Sequence, residues 1–250
     1  AGSDVASIRT TARKVAGGYV VNGAKTFITN GVRADVLVCA VKTSEEGGHR
    51  GLSFLVLERD MPGYEVSRKL EKMGWHASDT GELSFTDVEV PADNLLGEEN
   101  AGFYLIMANF TWERLLMSLS AVGAMQRLFG VTLDYAKRRQ AFGRPIGRFQ
   151  AIRHKLAEMA TTIEVARALT YSGLRRFVAG ADAIHEVTKA KLLTQRAAVD
   201  LADECLQIHG GYGYMREYGI ERAVRDLRLG PIGGGTDEIM KEILGRGLGL

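Results

Sequence analysis

The sequence predicts a multidomain α+β chain: an antiparallel β-barrel or sandwich domain over residues 1–97, then an antiparallel four-helix-bundle domain over residues 98–250. Three observations predict it. Before about residue 100, short runs of alternating apolar and polar residues sit between turn-forming residues, the pattern of half-buried strands. After it the apolar spacing becomes helical over long stretches. Those stretches are joined by short loops, which sets consecutive helices antiparallel.

In chain order, "GGYVVNGAKTFITNG" (17–31) holds an Asn22-Gly23 pair between two extended runs and predicts a hairpin turning there. "DVLVCAV" (35–41), "GLSFLVLE" (51–58) and "GELSFTDVEVP" (81–91) predict further strands. Pro62, Pro91 and Pro145 mark turns or segment edges, whereas Pro231 adjoins a glycine loop. A long helix is expected from about Gly102 to Arg139, with Glu98 and Glu99 before it and Lys137 to Arg139 at its end, both favourable for the helix dipole. Further helices are expected at about 150–179, stopped by Gly180, at about 182–208, stopped by Gly210-Gly211, and at roughly 217–228 and 236–246. No internal repeat and no low-complexity segment interrupts the pattern.

Composition narrows the function. With 250 residues, 46% hydrophobic and 25% charged, the chain has the make-up of a soluble globular protein of one large or two ordinary domains. A net charge of +2 argues against a general nucleic-acid or membrane binder. No apolar run reads as long enough to span a bilayer. Cys39 and Cys205 lie in apolar surroundings and read as buried thiols, with their pairing left open. A chain opening on Ala1 rather than Met is expected to start mid-sequence or after processing.

Four places could carry chemistry. Gly233 to Gly235 run into Thr236, Asp237 and Glu238, but no lysine follows, so a phosphate-binding P-loop is not expected. Thr236 suits a helix N-cap with two acids in the first turn, and the glycine N–H groups could approach a ligand. Arg138, Arg139, Arg144 and Arg148 crowd one junction between helices, as helix-end charge compensation or as an anion site. His209 has no second ligand at metal spacing and reads as a capping or packed histidine, so no metal is expected. Glu113 has Phe110, Leu116 and Met117 as helical neighbours, which predicts partial desolvation, while Arg114 points elsewhere. It is either one partner of a structural ion pair or a base with a raised pKa.

These segments together resemble the acyl-CoA dehydrogenase family. "AGSDVASIRTTARKVAGGYVVNGAKTFITNGVRAD" is similar to the family's flavin-domain signature, "RRQAFGRPIGRFQAIRHKLAEM" and "LQIHGGYGYMREYGIERAVRDLR" to its helical-domain signatures, and "GGGTDEIMKEILGR" to its C-terminal motif. The resemblance covers essentially the whole chain in family order. The family's N-terminal helical domain would precede Ala1. In most members a catalytic glutamate stands just before the Gly-Thr of the last motif, and here that position is Gly234. In the long-chain and isovaleryl branches the base comes instead from the long helix, in a Glu-Arg pair like Glu113-Arg114.

The resemblance therefore implies FAD-dependent α,β-dehydrogenation of an acyl-CoA thioester to the trans-2-enoyl-CoA, as in fatty-acid β-oxidation. Glu113 would take the α-proton while hydride passes to flavin N5. The Gly234 N–H and a flavin hydroxyl would hold the thioester oxygen, with Phe110, Arg114 and Gly235 beside the substrate. For FAD it implies Thr29 at the isoalloxazine edge, Phe27 against the ring and Ser3 close by. Arg139, Phe142 and Gln150 would hold the pyrophosphate and adenosine of a neighbouring subunit's cofactor. Gln207, Gly210, Gly211, Thr236 and Glu238 are further cofactor positions. An electron-transfer flavoprotein is the implied electron acceptor, and a homotetramer built as a dimer of dimers the implied assembly, with no nucleic-acid or membrane partner. The bacterial cytoplasm, or the mitochondrial matrix in a eukaryote, is the implied location. Two alternatives stand beside this reading: a flavin oxidase or monooxygenase on the same fold, and a truncated flavin-binding scaffold without activity.

Overall fold

The computed structural model describes residues 2–44 and 50–250. It divides into two compact units, Ala1–Asn109 and Phe110–Leu250.

The first unit is built on a seven-stranded, mostly antiparallel sheet in the order β5-β6-β2-β1-β3-β4-β7. Its strands are β1 (Thr11–Val15), β2 (Gly18–Thr29), β3 (Val36–Lys42), β4 (Leu52–Glu58), β5 (Tyr64–Lys69), β6 (Thr80–Pro91) and β7 (Leu95–Leu96). β1 and β3 pair in parallel, at Thr11 and Lys42. Alternation puts Val21, Cys39, Val41, Leu55, Leu57, Leu83, Phe85 and Val88 in one buried layer. Each such large side chain contributes roughly 1.5–3 kcal/mol by leaving water. Both cysteines of the chain are buried free thiols.

The hairpin expected at Asn22-Gly23 does not form there. β2 runs unbroken through both residues and pairs with β6, with a register shift between Val21 and Gly23. The chain turns instead before Gly18, where Gly17 has φ 88° and Val15 pairs with Gly18. The Asn-Gly signal is real, but it marks a β-bulge. Gly23 takes φ 137°, and a Cβ there would lie 2.8 Å from Thr10 Cα.

The second unit is helical: most of α1 (Gly102–Arg138), then α2 (Gln150–Val178), α3 (Ile184–His209), α4 (Ile220–Leu227) and α5 (Asp237–Gly247). A two-residue hairpin, β8 (Gln140–Ala141) with β9 (Arg144–Pro145), separates α1 from α2. Gly180 at φ 70° and Gly210 at φ 58° follow the ends of α2 and α3, at positive φ values that glycine takes without strain. Val122, Met125, Leu128, Ile163, Leu201 and Cys205 build the main core. Contrary to the expectation from sequence, α1 is long and apolar enough to cross a membrane by length and composition. That apolarity supplies this core from Ala121 to Leu128.

Candidate functional site

The site is built where α1, α3 and the loop before α5 meet. On α1 the inward stripe is Arg114, Leu115, Ser118, Ala121, Val122 and Met125, all buried. Arg114 is only 7% exposed, stacks its guanidinium 4.9 Å from the Phe110 ring, and donates from Nε to the Gly234 carbonyl at 3.1 Å. Burial pushes its pKa down, partly offset by the Glu113 carboxylate beside it. The loop it grips is left-handed at Gly234 (φ 63°) and Gly235 (φ 96°). A Cβ on Gly234 would collide with Met117 Sδ, and one on Gly235 would come 2.8 Å from Met240 Cε. Lys191 of α3 donates from Nζ to the Gly235 carbonyl at 2.5 Å. Thr236 caps α5, its Oγ1 accepting the Ile239 N–H at 3.3 Å, and Asp237 pairs with Arg196.

The expected partial desolvation of Glu113 is corrected here. Its side chain is exposed, as are its neighbours Trp112 and Leu116. The physical reason is rotation about the helix axis. The buried stripe starts one residue later, so Arg114 goes in and Glu113 stays on the rim. Met117, one turn beyond Glu113, is the half-buried residue that reaches the glycine corner.

A second constellation forms around the C-terminal end of α3. Tyr135, Arg139, Ile146, His209, Gly210, Gly211, Tyr212 and Met215 line a cavity of ≈ 500 Å3. His209 is packed, as expected: its Nδ1 meets the Cys205 carbonyl at 2.8 Å and its ring stacks on Tyr135 with centroids 4.3 Å apart. Arg139 lies 5.3 Å from the Tyr212 ring centre. The arginine-rich junction proves to be the β8–β9 hairpin, with Arg144 over the Phe149 ring at 4.2 Å. At its tip Phe142 is 94% exposed with φ 51°.

Among the predicted positions, the second unit thus brings Phe110, Arg114, Gly234, Gly235 and Thr236 to one corner, and Arg139, Gly210 and Gly211 to one cavity. Gln150, Gln207 and Glu238 are exposed and line neither. In the first unit Ser3, Phe27 and Thr29 are exposed, with Phe27 held at φ 62°. Sequence reasoning missed Lys191, Met117, Tyr135 and Tyr212. Lys191 had a signal, a single cation at helical spacing within the apolar stripe of Val187, Ala190, Ala198 and Leu201. No group of three or more metal-ligating side chains forms among the described residues.

Comparison with known proteins gives these positions a context. The family model for the acyl-CoA dehydrogenase middle domain matches residues 1–88, and that for the acyl-CoA dehydrogenase C-terminal domain matches 100–249. The chain is 43% identical to the long-chain specific acyl-CoA dehydrogenase of Sus scrofa mitochondria, over 98% of this chain and 58% of that protein. A probable acyl-CoA dehydrogenase from Mycobacterium abscessus superposes with TM-score 0.97 at 50% identity, over 99% of this chain and 66% of that one. The FAD complex of PigA superposes with TM-score 0.96 at 34% identity, over 100% and 65%. The chain thus spans about three fifths of the length of such relatives. It belongs to the acyl-CoA dehydrogenase family.

Proposed function

We propose that the full-length protein is an FAD-dependent acyl-CoA dehydrogenase whose α-proton base is Glu113. The observation that carries this reading is the glycine corner. Where a glutamate at position 234 would stand, Met117 Sδ already fills the space. The carboxylate at hand is therefore Glu113, one helical turn from Met117 and adjacent to Arg114.

The residues present fit a flavin dinucleotide. A guanidinium and two glycines at the mouth of the α3 cavity suit diphosphate oxygens. Phe27 (76% exposed) and Phe142 offer bare aromatic planes, each held at positive φ against its backbone preference. When bound, FAD would supply the acceptor for the β-hydride. Everything else falls to the chain. The Glu113 carboxylate removes the α-proton, and a substrate seated along Phe110, Leu116 and Met117 excludes water from it. The Gly234 N–H donates to the thioester oxygen as negative charge gathers there, a contribution of about 3–4 kcal/mol for a donor of this type. The exposed Phe142 and its neighbouring arginines favour an assembly in which this hairpin serves a second subunit, in a homotetramer. An electron-transfer flavoprotein is the acceptor that reoxidises the enzyme.

Glu113→Gln decides the matter. The variant is expected to hold FAD in full amount while its bleaching by acyl-CoA slows by about 10²–10⁴-fold. Bleaching at the parental rate would remove Glu113 from the mechanism.

A further inference from the structure

Lys191 is fully buried in the middle of α3, among Val187, Thr188, Ala190 and Thr194. An ammonium in such a place is costly, and burial pushes its pKa below the ordinary lysine value. A well-packed apolar side chain would serve stability as well or better. What the charge does is hold one oxygen, the Gly235 carbonyl, while Arg114 from α1 holds the preceding one.

The two grips have a geometric consequence. Gly234 and Gly235 are the residues with the widest backbone freedom, and both sit at positive φ. A trans peptide is planar, with its C=O and N–H pointing opposite ways. Fixing these two carbonyls toward α1 and α3 turns the N–H groups of Gly235 and Thr236 away from those helices. It also leaves the Gly234 N–H only the rotation about its own φ. The loop ends are tied as well: Gly233 N–H to the Leu229 carbonyl at 2.8 Å, and Asp237 N–H to the Pro231 carbonyl at 3.1 Å.

We propose that Lys191 is a positioning residue: together with Arg114 it clamps the Gly234–Gly235 backbone so that the loop holds the Gly234 N–H in place for the thioester oxygen. The inference rests on the dehydrogenase reading above.

The test uses the full-length holoenzyme with two variants and two readouts, amide hydrogen exchange of the segment 229–238 and steady-state kinetics. Lys191→Met removes the donor. It is expected to keep its FAD and its KM, to lose kcat by about 10²-fold, as oxyanion-donor losses do, and to speed exchange at residues 233–236 by at least about tenfold. Lys191→Gln keeps an N–H donor without the charge and is expected to hold the loop protected, with kcat within about tenfold of the parent. A loop as protected in Lys191→Met as in the parent overturns the proposal, and so do equal defects in the two variants. If Lys191→Met does not fold, Lys191→Leu takes its place with the same readout: faster exchange at residues 233–236 than in the parent supports the clamp, and parental exchange overturns it. A parent protein that fails to bleach with any acyl-CoA sinks the dehydrogenase reading, while the exchange measurement still decides whether Lys191 holds the loop.

Discussion

Position 234 is closed to a side chain by two independent constraints, the left-handed backbone and the Met117 sulfur. Gly234→Glu, which would restore the carboxylate of most family members, is expected to destabilise the protein by about 1–3 kcal/mol, read from the urea midpoint, and to lower activity. A rise in activity would show that the corner accepts a base from either side. Cys39 gives a residue-scale test of the first unit. Burial pushes its thiol up to about 11, against 9.0 for the free group, with nearby Lys25 pulling the other way. Below pH 9 the thiol is protonated both folded and unfolded, so it leaves stability unchanged. Between pH 9 and 11 only the unfolded chain releases the proton, so stability should fall with rising pH by up to about 3 kcal/mol. Urea midpoints across that range check it, and Cys39→Ala should lose this part of the slope. Much of the site was legible at this scale. The Glu113-Arg114 pair, the Gly234 substitution and the Thr236 cap all stand out in the sequence. Which member of the pair faces inward did not, because Phe110 and Met117 lie at helical spacing from Glu113 whichever way the helix is turned.

Among the elements, every expected helix forms, with ends shifted by a few residues, because long apolar periodicity survives local noise. The strands were less legible. β5 carries Glu65, Arg68 and Lys69 on the edge of the sheet, and β8 and β9 are only two residues each, too short to show any period. The Asn22-Gly23 bulge shows how one dipeptide serves two backbone geometries, and only the pairing of β2 with β6 along its length selects between them. Gly23→Ala tests that account. With a Cβ forced 2.8 Å from Thr10 Cα at φ 137°, it should cost about 1–3 kcal/mol, visible as a lower urea midpoint.

For the whole molecule, the proposed tetramer sets the expectation that light scattering of the full-length protein reports four copies. Phe142, with 94% of its surface bare, should matter there rather than to the folding of its own chain. Phe142→Ala is expected to leave thermal stability of the isolated apo subunit within about 0.5 kcal/mol, as surface changes do, while weakening FAD retention about tenfold on dilution. Unchanged retention would detach the hairpin tip from the cofactor. The bulge has a consequence for how the protein ages. An Asn-Gly bond deamidates when the flexible glycine lets its nitrogen swing onto the carbonyl carbon of the asparagine side-chain amide and ammonia leaves. Here that amide is engaged on both atoms by Asp87, at 3.0 Å each, within a paired strand. Succinimide formation must therefore wait for the strand to open, so deamidated Asn22 in a stored sample would count past excursions of the first unit out of its native state.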